Sequence, residues 1–361
     1  MGFNCGIIGL PNVGKSTVFN ALTKAGAHMA NYPFCTIDPN KAVVPVPDER
    51  LNKISGILNR KNFIPTRIEF IDVAGLVRGA SKGEGLGNKF LGHIRNVDAV
   101  VHVVRCFRDE NVVHVSGEID PANDIEIIKL ELILSDIEIL ERGLEKTRKN
   151  VKSGIKEAGK RIDVLQRLIN HLNGGKFINS LALHEEEKHM VSEYGLITIK
   201  PFMYLANTGE GSLPEENLKK IRDIASADKS EFLTISGKLE EEISELPENE
   251  KKEYLDAMGL EGSALDRIIQ AAYGLLGLIT YYTAATELQA WTLEKGTTAA
   301  NAAGKIHTDF ERGFIRAEVY SFSDLVASGS EHILREKGHI RAEGKDYIVK
   351  DGDIIKFLFH V

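Results

Sequence analysis

Apolar and polar positions follow two different rhythms along the first part of the chain. Short, almost continuous apolar runs, typical of buried parallel strands, are separated by stretches with helical periodicity. The strand-like runs occupy residues 3–10, 67–73, 99–106 and 201–207, and the clearest helix-like stretches occupy residues 14–24 and 86–96. This alternation predicts an α/β fold with a doubly wound, mostly parallel sheet. In such a sheet, the ligand site lies beyond the carboxyl ends of the strands.

In the middle of the chain, the apolar residues have helical periodicity instead. Apolar residues recur at alternating steps of three and four before and after Ser153-Gly154, which predicts an antiparallel helical hairpin with coiled-coil seams. The predicted seam residues are Leu130, Ile133, Ile137, Leu140, Leu144, Thr147, Val151, Ile155, Ala158, Ile162, Leu165, Ile169 and Leu172. Residues 137–176 contain ten Lys and Arg against five Asp and Glu. A surface for RNA and an ordinary solvated helix face both explain this excess of positive charge.

A third pattern begins near residue 268. Residues 268–286 carry no charge over 19 positions, but glycines, tyrosines, threonines and Gln270 dilute their apolar character. We therefore expect a buried helix that passes into a strand, and not a membrane span. Short β-like runs follow at residues 288–293, 313–319, 347–349 and 354–359, with a turn at residues 350–353. These runs predict a compact α+β module.

Composition narrows the class of protein. The chain has 361 residues, of which 43% are hydrophobic and 27% are charged, so a fibrous or wholly disordered chain is excluded. The net charge of −7 means that any nucleic-acid contact must use a local basic surface. The three cysteines form no C-x-x-C pair, which favours a reducing, cytoplasmic location.

The first candidate chemistry lies in a loop near the N-terminus. Residues 9–16 read Gly-Leu-Pro-Asn-Val-Gly-Lys-Ser and match the phosphate-binding pattern G-x-x-x-x-G-K-[ST] between a strand and a helix. Backbone N–H groups of such a loop surround a polyphosphate, while Lys15 would meet the β- and γ-phosphates. The hydroxyl group of Ser16 is a candidate ligand of Mg²⁺.

A second motif supports a nucleotide switch. Asp72 and Gly75 follow the strand-like run at residues 67–73 in the pattern D-x-x-G. The carboxylate of Asp72 would hold the metal ion, and the N–H group of Gly75 would meet the γ-phosphate. Thr36 is the candidate for a second hydroxyl ligand of Mg²⁺.

Recognition of the base departs from that of an ordinary GTPase. An N-K-x-D motif, whose aspartate accepts hydrogen bonds from guanine, is missing after the strand-like run at residues 201–207. Asn207, Thr208 and Glu210 stand there instead, without the lysine and with a longer acidic side chain. We therefore predict a weaker preference for guanine and acceptance of adenine. Ser236 and Gly237, after another short strand, would supply backbone contacts to the base.

The hydrolytic group is also unusual. Ras-like switches place a glutamine after D-x-x-G to orient water, but here the position is Leu76, so we expect hydrolysis to be slow or to use other groups. Lys15, Asn12 and His114 are the candidates: the lysine at the phosphates, Asn12 beside a monovalent cation, and His114 from a loop. A P-loop kinase, and an RNA-binding protein that uses nucleotide only as a ligand, are alternatives.

These motifs together resemble the Obg-like ATPase (YchF) family of P-loop proteins. The resemblance is carried by residues 9–17, 31–36, 72–76, 83–88, 207–210 and 307–316. It implies a P-loop G domain at residues 1–128 and 198–276, an inserted helical hairpin at residues 129–197, and a TGS domain of ubiquitin-like β-grasp form at residues 277–361. The implied activity is binding and slow hydrolysis of ATP, with GTP as a second ligand, Mg²⁺ as cofactor and K⁺ as a stimulating ion.

The resemblance also assigns residues and partners. It implies phosphate contacts from Asn12, Val13, Gly14, Lys15, Ser16 and Thr17, and adenine contacts from Asn207 and the Thr208 backbone. The implied partner is the ribosome, either the large subunit or the 70S particle, with rRNA contacts through the hairpin and the TGS domain. We expect a monomer without a membrane partner. A strict GTPase of the Obg type, and an RNA-binding protein without significant turnover, remain alternatives.

Overall fold

A computed structural model describes residues 3–27, 40–73, 86–109, 119–151, 157–209, 214–260, 262–285 and 287–360. The strands are β1 (Asn4–Ile8), β2 (Lys41–Pro45), β3 (Phe63–Ile64), β4 (Arg67–Asp72), β5 (Ala99–Arg105), β6 (Phe202–Asn207), β7 (Glu231–Ile235), β8 (Leu278–Thr283), β9 (Leu288–Glu294), β10 (Phe314–Ser321), β11 (Arg341–Glu343) and β12 (Asp353–Phe359). The helices are α1 (Lys15–Ala27), α2 (Glu49–Ile57), α3 (Leu86–Arg95), α4 (Pro121–Val151), α5 (Glu157–Asn173), α6 (Glu185–Val191), α7 (Glu215–Ala227), α8 (Gly237–Glu245), α9 (Glu248–Ala257), α10 (Ala264–Leu275), α11 (Ala299–Ile306), α12 (Thr308–Arg312), α13 (Phe322–Ser328) and α14 (Glu331–Glu336).

The first sheet confirms the predicted α/β architecture. Its strand order is β2-β4-β1-β5-β6-β7, and neighbours from β4 to β7 run parallel. Every residue of β5 and β6 is buried, which explains why these strands read as unbroken apolar runs in the sequence. The carboxyl ends of β1, β5 and β6 therefore lie at one edge of the sheet, next to the loop at residues 9–14.

The helical hairpin matches most of its predicted seam. Of the described seam residues, Ile133, Leu140, Leu144, Thr147, Ala158, Leu165, Ile169 and Leu172 are buried, and Ile137 and Ile162 are half-buried. Leu130 is the exception, because its side chain is 55% exposed. The first turns of α4 turn a different face inward, through Ile125, Ile128 and Leu132, and Ile125 packs in a cluster with residues of the sheet. The buried seam of the hairpin therefore begins later along α4 than the periodicity predicts.

The described residues form two compact units, residues 3–43 with 69–268, and residues 44–68 with 269–361. The second unit has a sheet of order β11-β10-β12-β8-β9-β3, in which β12 runs parallel to β8 and antiparallel to β10. This arrangement is consistent with the expected β-grasp form. Leu51 and Ile54 of α2 lie in the core of this unit with Tyr282 and Leu288. The three predicted domain ranges, and the TGS assignment, stay predictions.

Two expectations for the last part of the chain have different outcomes. Within the uncharged stretch, residues 268–275 lie in α10 and residues 278–283 lie in β8, as expected. No helix among the described residues has the length and apolar character of a membrane span. The expected strand at residues 347–349 is reduced to one isolated bridge, between Thr298 and Ile348. These residues lead into a turn in which the carboxylate of Asp353 accepts hydrogen bonds from Lys350 N (2.9 Å) and from the hydroxyl group of Tyr347 (2.8 Å).

Candidate nucleotide-binding site

The loop between β1 and α1 contains two residues with a left-handed backbone. Asn12 and Gly14 both have left-handed backbone angles, with φ of 64° and 84°. Asparagine tolerates this region better than most residues, and glycine occupies it without strain. A Cβ atom on Gly14 would also collide with the side chain of Asn207, and one on Gly9 would lie 2.7 Å from the carbonyl oxygen of Val103. The loop is thus held tightly against the ends of β5 and β6.

Lys15 and Asp72 meet at this loop. The ammonium group of Lys15, the first residue of α1, donates a hydrogen bond to the carboxylate of Asp72, the last residue of β4. Their side chains are 12% and 21% exposed. Ser16 follows on α1, so hydroxyl and carboxylate oxygens are available near the lysine. Oxygen donors of these types suit Mg²⁺, and the described part of the expected metal site therefore fits this ion.

An open cavity of about 910 Å³ lies beside the loop. The predicted residues that line it are Asn12, Gly14, Lys15, Ser16, Thr17, Asn207 and Thr208. Its lining also includes Phe107, Arg108, Asp109, Gly209, Lys238 and Glu241, which no sequence motif indicated. The lining combines the predicted phosphate-binding loop with aromatic, polar and charged groups, as a nucleotide needs. After their predicted roles, the part lined by residues 10–12 and 14–17 is called the phosphate end, and the part lined by residues 107–109, 207–209 and α8 is called the base end.

Asn207 joins the two ends of the cavity. Its side-chain amide donates a hydrogen bond to the carbonyl oxygen of Val13 (3.0 Å), and its carbonyl oxygen accepts one from Gly237 N (2.9 Å). The residue is only 4% exposed. These bonds hold the phosphate-binding loop against the start of α8. Direct contact of Asn207 with a base stays a prediction.

The other predicted site residues fall into two groups. Val13, Ser236 and Gly237 are described but are not part of the cavity lining: Val13 is 1% exposed, and Ser236 precedes the first turn of α8. Thr36, Gly75, His114 and Glu210 lie outside the described residues. Their proposed roles therefore stay predictions from the sequence.

The unpredicted lining residues come from two places in the sequence. Phe107, Arg108 and Asp109 directly follow β5, and Lys238 and Glu241 belong to α8. A signal for the first group was available, because residues just beyond the carboxyl end of a central parallel strand are expected at the ligand site. The position of the α8 residues depends on how that helix packs, and a local sequence pattern does not predict the packing.

The sheet order, the loop after β1 and the acidic residue at the end of β4 define a P-loop nucleotide-binding protein of the GTPase fold class. A family model described as "50S ribosome-binding GTPase" matches residues 4–164. A second model, YchF-GTPase_C, described as "Protein of unknown function (DUF933)", matches residues 278–360.

Full-length relatives identify the family. The chain is 50% identical to "Ribosome-binding ATPase YchF" of Escherichia coli O157:H7 over 364 residues, and 50% identical to the protein of the same name from Bacillus subtilis (strain 168) over 366 residues. In both comparisons, all of each chain is covered. The solved structure of the Schizosaccharomyces pombe YchF GTPase is 35% identical, covers 99% of this chain and 98% of its own, and superposes with a TM-score of 0.87. This chain therefore belongs to the YchF family, and the resemblance found in its sequence is confirmed.

Proposed function

We propose that this protein binds ATP, hydrolyses it slowly and associates with the ribosome in a nucleotide-dependent way. The observation that carries this proposal is the cavity itself, in which a complete phosphate-binding loop faces residues 207–209 without the lysine of a guanine-binding motif. Full-length relatives with the printed name "Ribosome-binding ATPase YchF" support both parts. GTP is proposed as a second, not the preferred, ligand.

The proposed cofactor is Mg²⁺, held by Ser16, Asp72 and Thr36, with K⁺ near Asn12. Magnesium would neutralise charge on the phosphates. Asn12 is exposed and lines the cavity, which supports its proposed position beside a monovalent ion. Replacing K⁺ by Na⁺ at constant ionic strength should lower the rate of ATP hydrolysis. An unchanged rate would remove K⁺ from the proposal.

The test of the base preference is a comparison of dissociation constants for ATP and GTP with Mg²⁺ present. We expect ATP to bind at least as tightly as GTP, because a guanine N1–H finds no aspartate in the expected position. A preference for GTP above about tenfold, or ~1.4 kcal/mol, would contradict the proposal and favour a strict GTPase. Phosphate release in the absence of any acceptor molecule would exclude a kinase.

The helical hairpin is one proposed ribosome-binding surface. Part of its positive charge is paired, since Arg142 contacts Glu138 (2.7 Å) and Arg167 contacts Glu187 (2.8 Å). Lys149, near the end of α4, is exposed. Substituting Lys149, Lys152 and Lys156 together by Ala should weaken co-sedimentation with ribosomes and flatten its dependence on salt. Unchanged binding would mean that the hairpin is an ordinary solvated surface. Arg142→Ala serves as a control.

A further inference from the structure

We infer that Arg105 is a positioning residue that holds the base end of the nucleotide cavity. The inference rests on the proposed function, since it concerns the same cavity. Arg105 is the last residue of β5 and is 1% exposed, although arginine is rarely buried without specific partners. It stands opposite Asn207 in the register of the sheet, and so lies beneath both loops that form this end of the cavity.

The partners of Arg105 belong to the wall of the cavity. Its Nε atom donates a hydrogen bond to the carbonyl oxygen of Phe107 (3.2 Å), and Nη2 donates one to the carbonyl oxygen of Asp109 (3.4 Å). The guanidinium carbon also lies 4.6 Å from the centre of the Phe107 ring. One side chain thus holds the backbone of the wall at two points and supports the aromatic ring by a cation–π contact.

The position of Phe107 explains why its contact with Arg105 stabilises the base end of the cavity. A Cβ atom on Gly209 would lie 3.1 Å from Cβ of Phe107, and one on Gly14 would lie 3.9 Å from its ring. The ring therefore stands where the phosphate-binding loop meets the loop after β6. If the ring moved, the base and ribose would lose a wall, whereas the backbone N–H groups and Lys15 at the phosphate end would remain in place.

The carboxylates of two nearby aspartates compensate the charge of Arg105. Burial lowers the pKa of its guanidinium group, and the carboxylates of Asp109 and Asp124 act in the opposite direction. Asp124 lies in the first turn of α4 and is 2% exposed. Because a planar guanidinium group can donate in several directions while it stacks on a ring, lysine would be a poor substitute here.

The experiment compares two ligands in the full-length protein, ATP and inorganic tripolyphosphate, both with Mg²⁺ and both measured by competition against a fluorescent ATP analogue. Tripolyphosphate engages only the phosphate end. In Arg105→Met we expect the dissociation constant of ATP to rise by at least about tenfold, since a cation–π contact and two hydrogen bonds are lost. The dissociation constant of tripolyphosphate should change by less than about threefold.

Arg222→Met is the matched control. Arg222 lies on α7 and also stacks on an aromatic ring, that of Phe232, at 5.3 Å, but it is not part of the cavity lining. It should leave both constants unchanged. Equal weakening of ATP and tripolyphosphate in Arg105→Met would overturn the inference, because it would make Arg105 a support of the whole site; no weakening of either would overturn it as well.

A double-mutant cycle covers the case in which Arg105→Met fails to fold. Arg105→Lys keeps the charge, and Phe107→Leu removes the ring. If Arg105 acts through Phe107, Arg105→Lys should weaken ATP binding in the wild-type background but have little further effect beside Phe107→Leu. Additive effects would contradict the inference. Failure of the wild-type protein to bind ATP would instead contradict the proposed function, so the two failures can be told apart.

Discussion

The two ends of the nucleotide cavity are built in different ways. The phosphate end consists of one contiguous segment, residues 9–17, with Asp72 as its neighbour. The base end is assembled from three segments: the residues after β5, the residues after β6 and the start of α8. The first two segments are about a hundred positions apart in the sequence. The functional groups of a contiguous loop stay together because they are adjacent in the sequence. An assembled wall depends instead on buried residues that hold its segments in place.

This difference predicts that substitutions at the phosphate end affect every phosphate ligand alike, whereas substitutions at the base end affect only ligands that carry a base. ATP and inorganic tripolyphosphate therefore separate the two ends. Asn207 is the expected exception, because it is hydrogen-bonded to both.

The largest effect is expected for Lys15→Ala. Loss of the ammonium group should weaken ATP and tripolyphosphate alike, by about 100-fold or more, because a charged donor to the phosphates is removed. Titration of both ligands into the variant measures the effect. Lys24→Ala is the control: Lys24 lies on the same helix, but its ion pair with Glu245 is largely exposed, with side chains 39% and 65% accessible, and both affinities should be retained. A loss confined to ATP would contradict the division into two ends.

Asn207→Ala comes next and should affect both ends. The carbonyl oxygen of Val13 and the N–H group of Gly237 would each lose a buried partner, at about 1–3 kcal/mol of unfolding free energy for each group. We expect a lower denaturant midpoint and weaker binding of both ATP and tripolyphosphate. Asn170→Ala, which removes an exposed acceptor of a hydrogen bond from Gln166, should leave stability and binding near the wild-type values. Weakening of ATP alone would mean that Asn207 acts on the base and not on the loop.

The same contrast explains how much of the site could be predicted. Gly14, Lys15 and Ser16 were found because their spacing is local, and the cavity lining contains all three. Phe107 and Arg105 belong to no recurring string. The place of Phe107 after β5 is a signal, but its contact with Arg105 and its proximity to Gly209 depend on the fold. Asn207 was selected for the base, but its hydrogen bonds to Val13 and Gly237 could not be read from sequence order.

The fold shows the same limit. The strands of the first sheet could be predicted because parallel strands buried on both faces read as apolar runs. The place of α2 could not, because Leu51 and Ile54 complete a core whose other members, such as Tyr282, are more than two hundred positions away. Leu130 satisfied the helical periodicity but lies on the exposed face, since the first turns of α4 pack on the sheet before the seam begins.

Thr208→Val should give the smallest effect. The hydroxyl group of Thr208 donates to the carbonyl oxygen of Ile235 (3.1 Å), but the backbone N–H group of the same residue donates to that oxygen as well (2.6 Å). The carbonyl group thus keeps a partner when the hydroxyl group is lost, and valine preserves the shape of the side chain. We expect a change of about 0.5–1 kcal/mol in the free energy of unfolding and less than about threefold in the affinity for ATP. Calorimetric titration of ATP into the variant measures the second quantity. If ATP binding instead fell by tenfold or more, with tripolyphosphate unaffected, the hydroxyl group would have to touch the nucleoside itself.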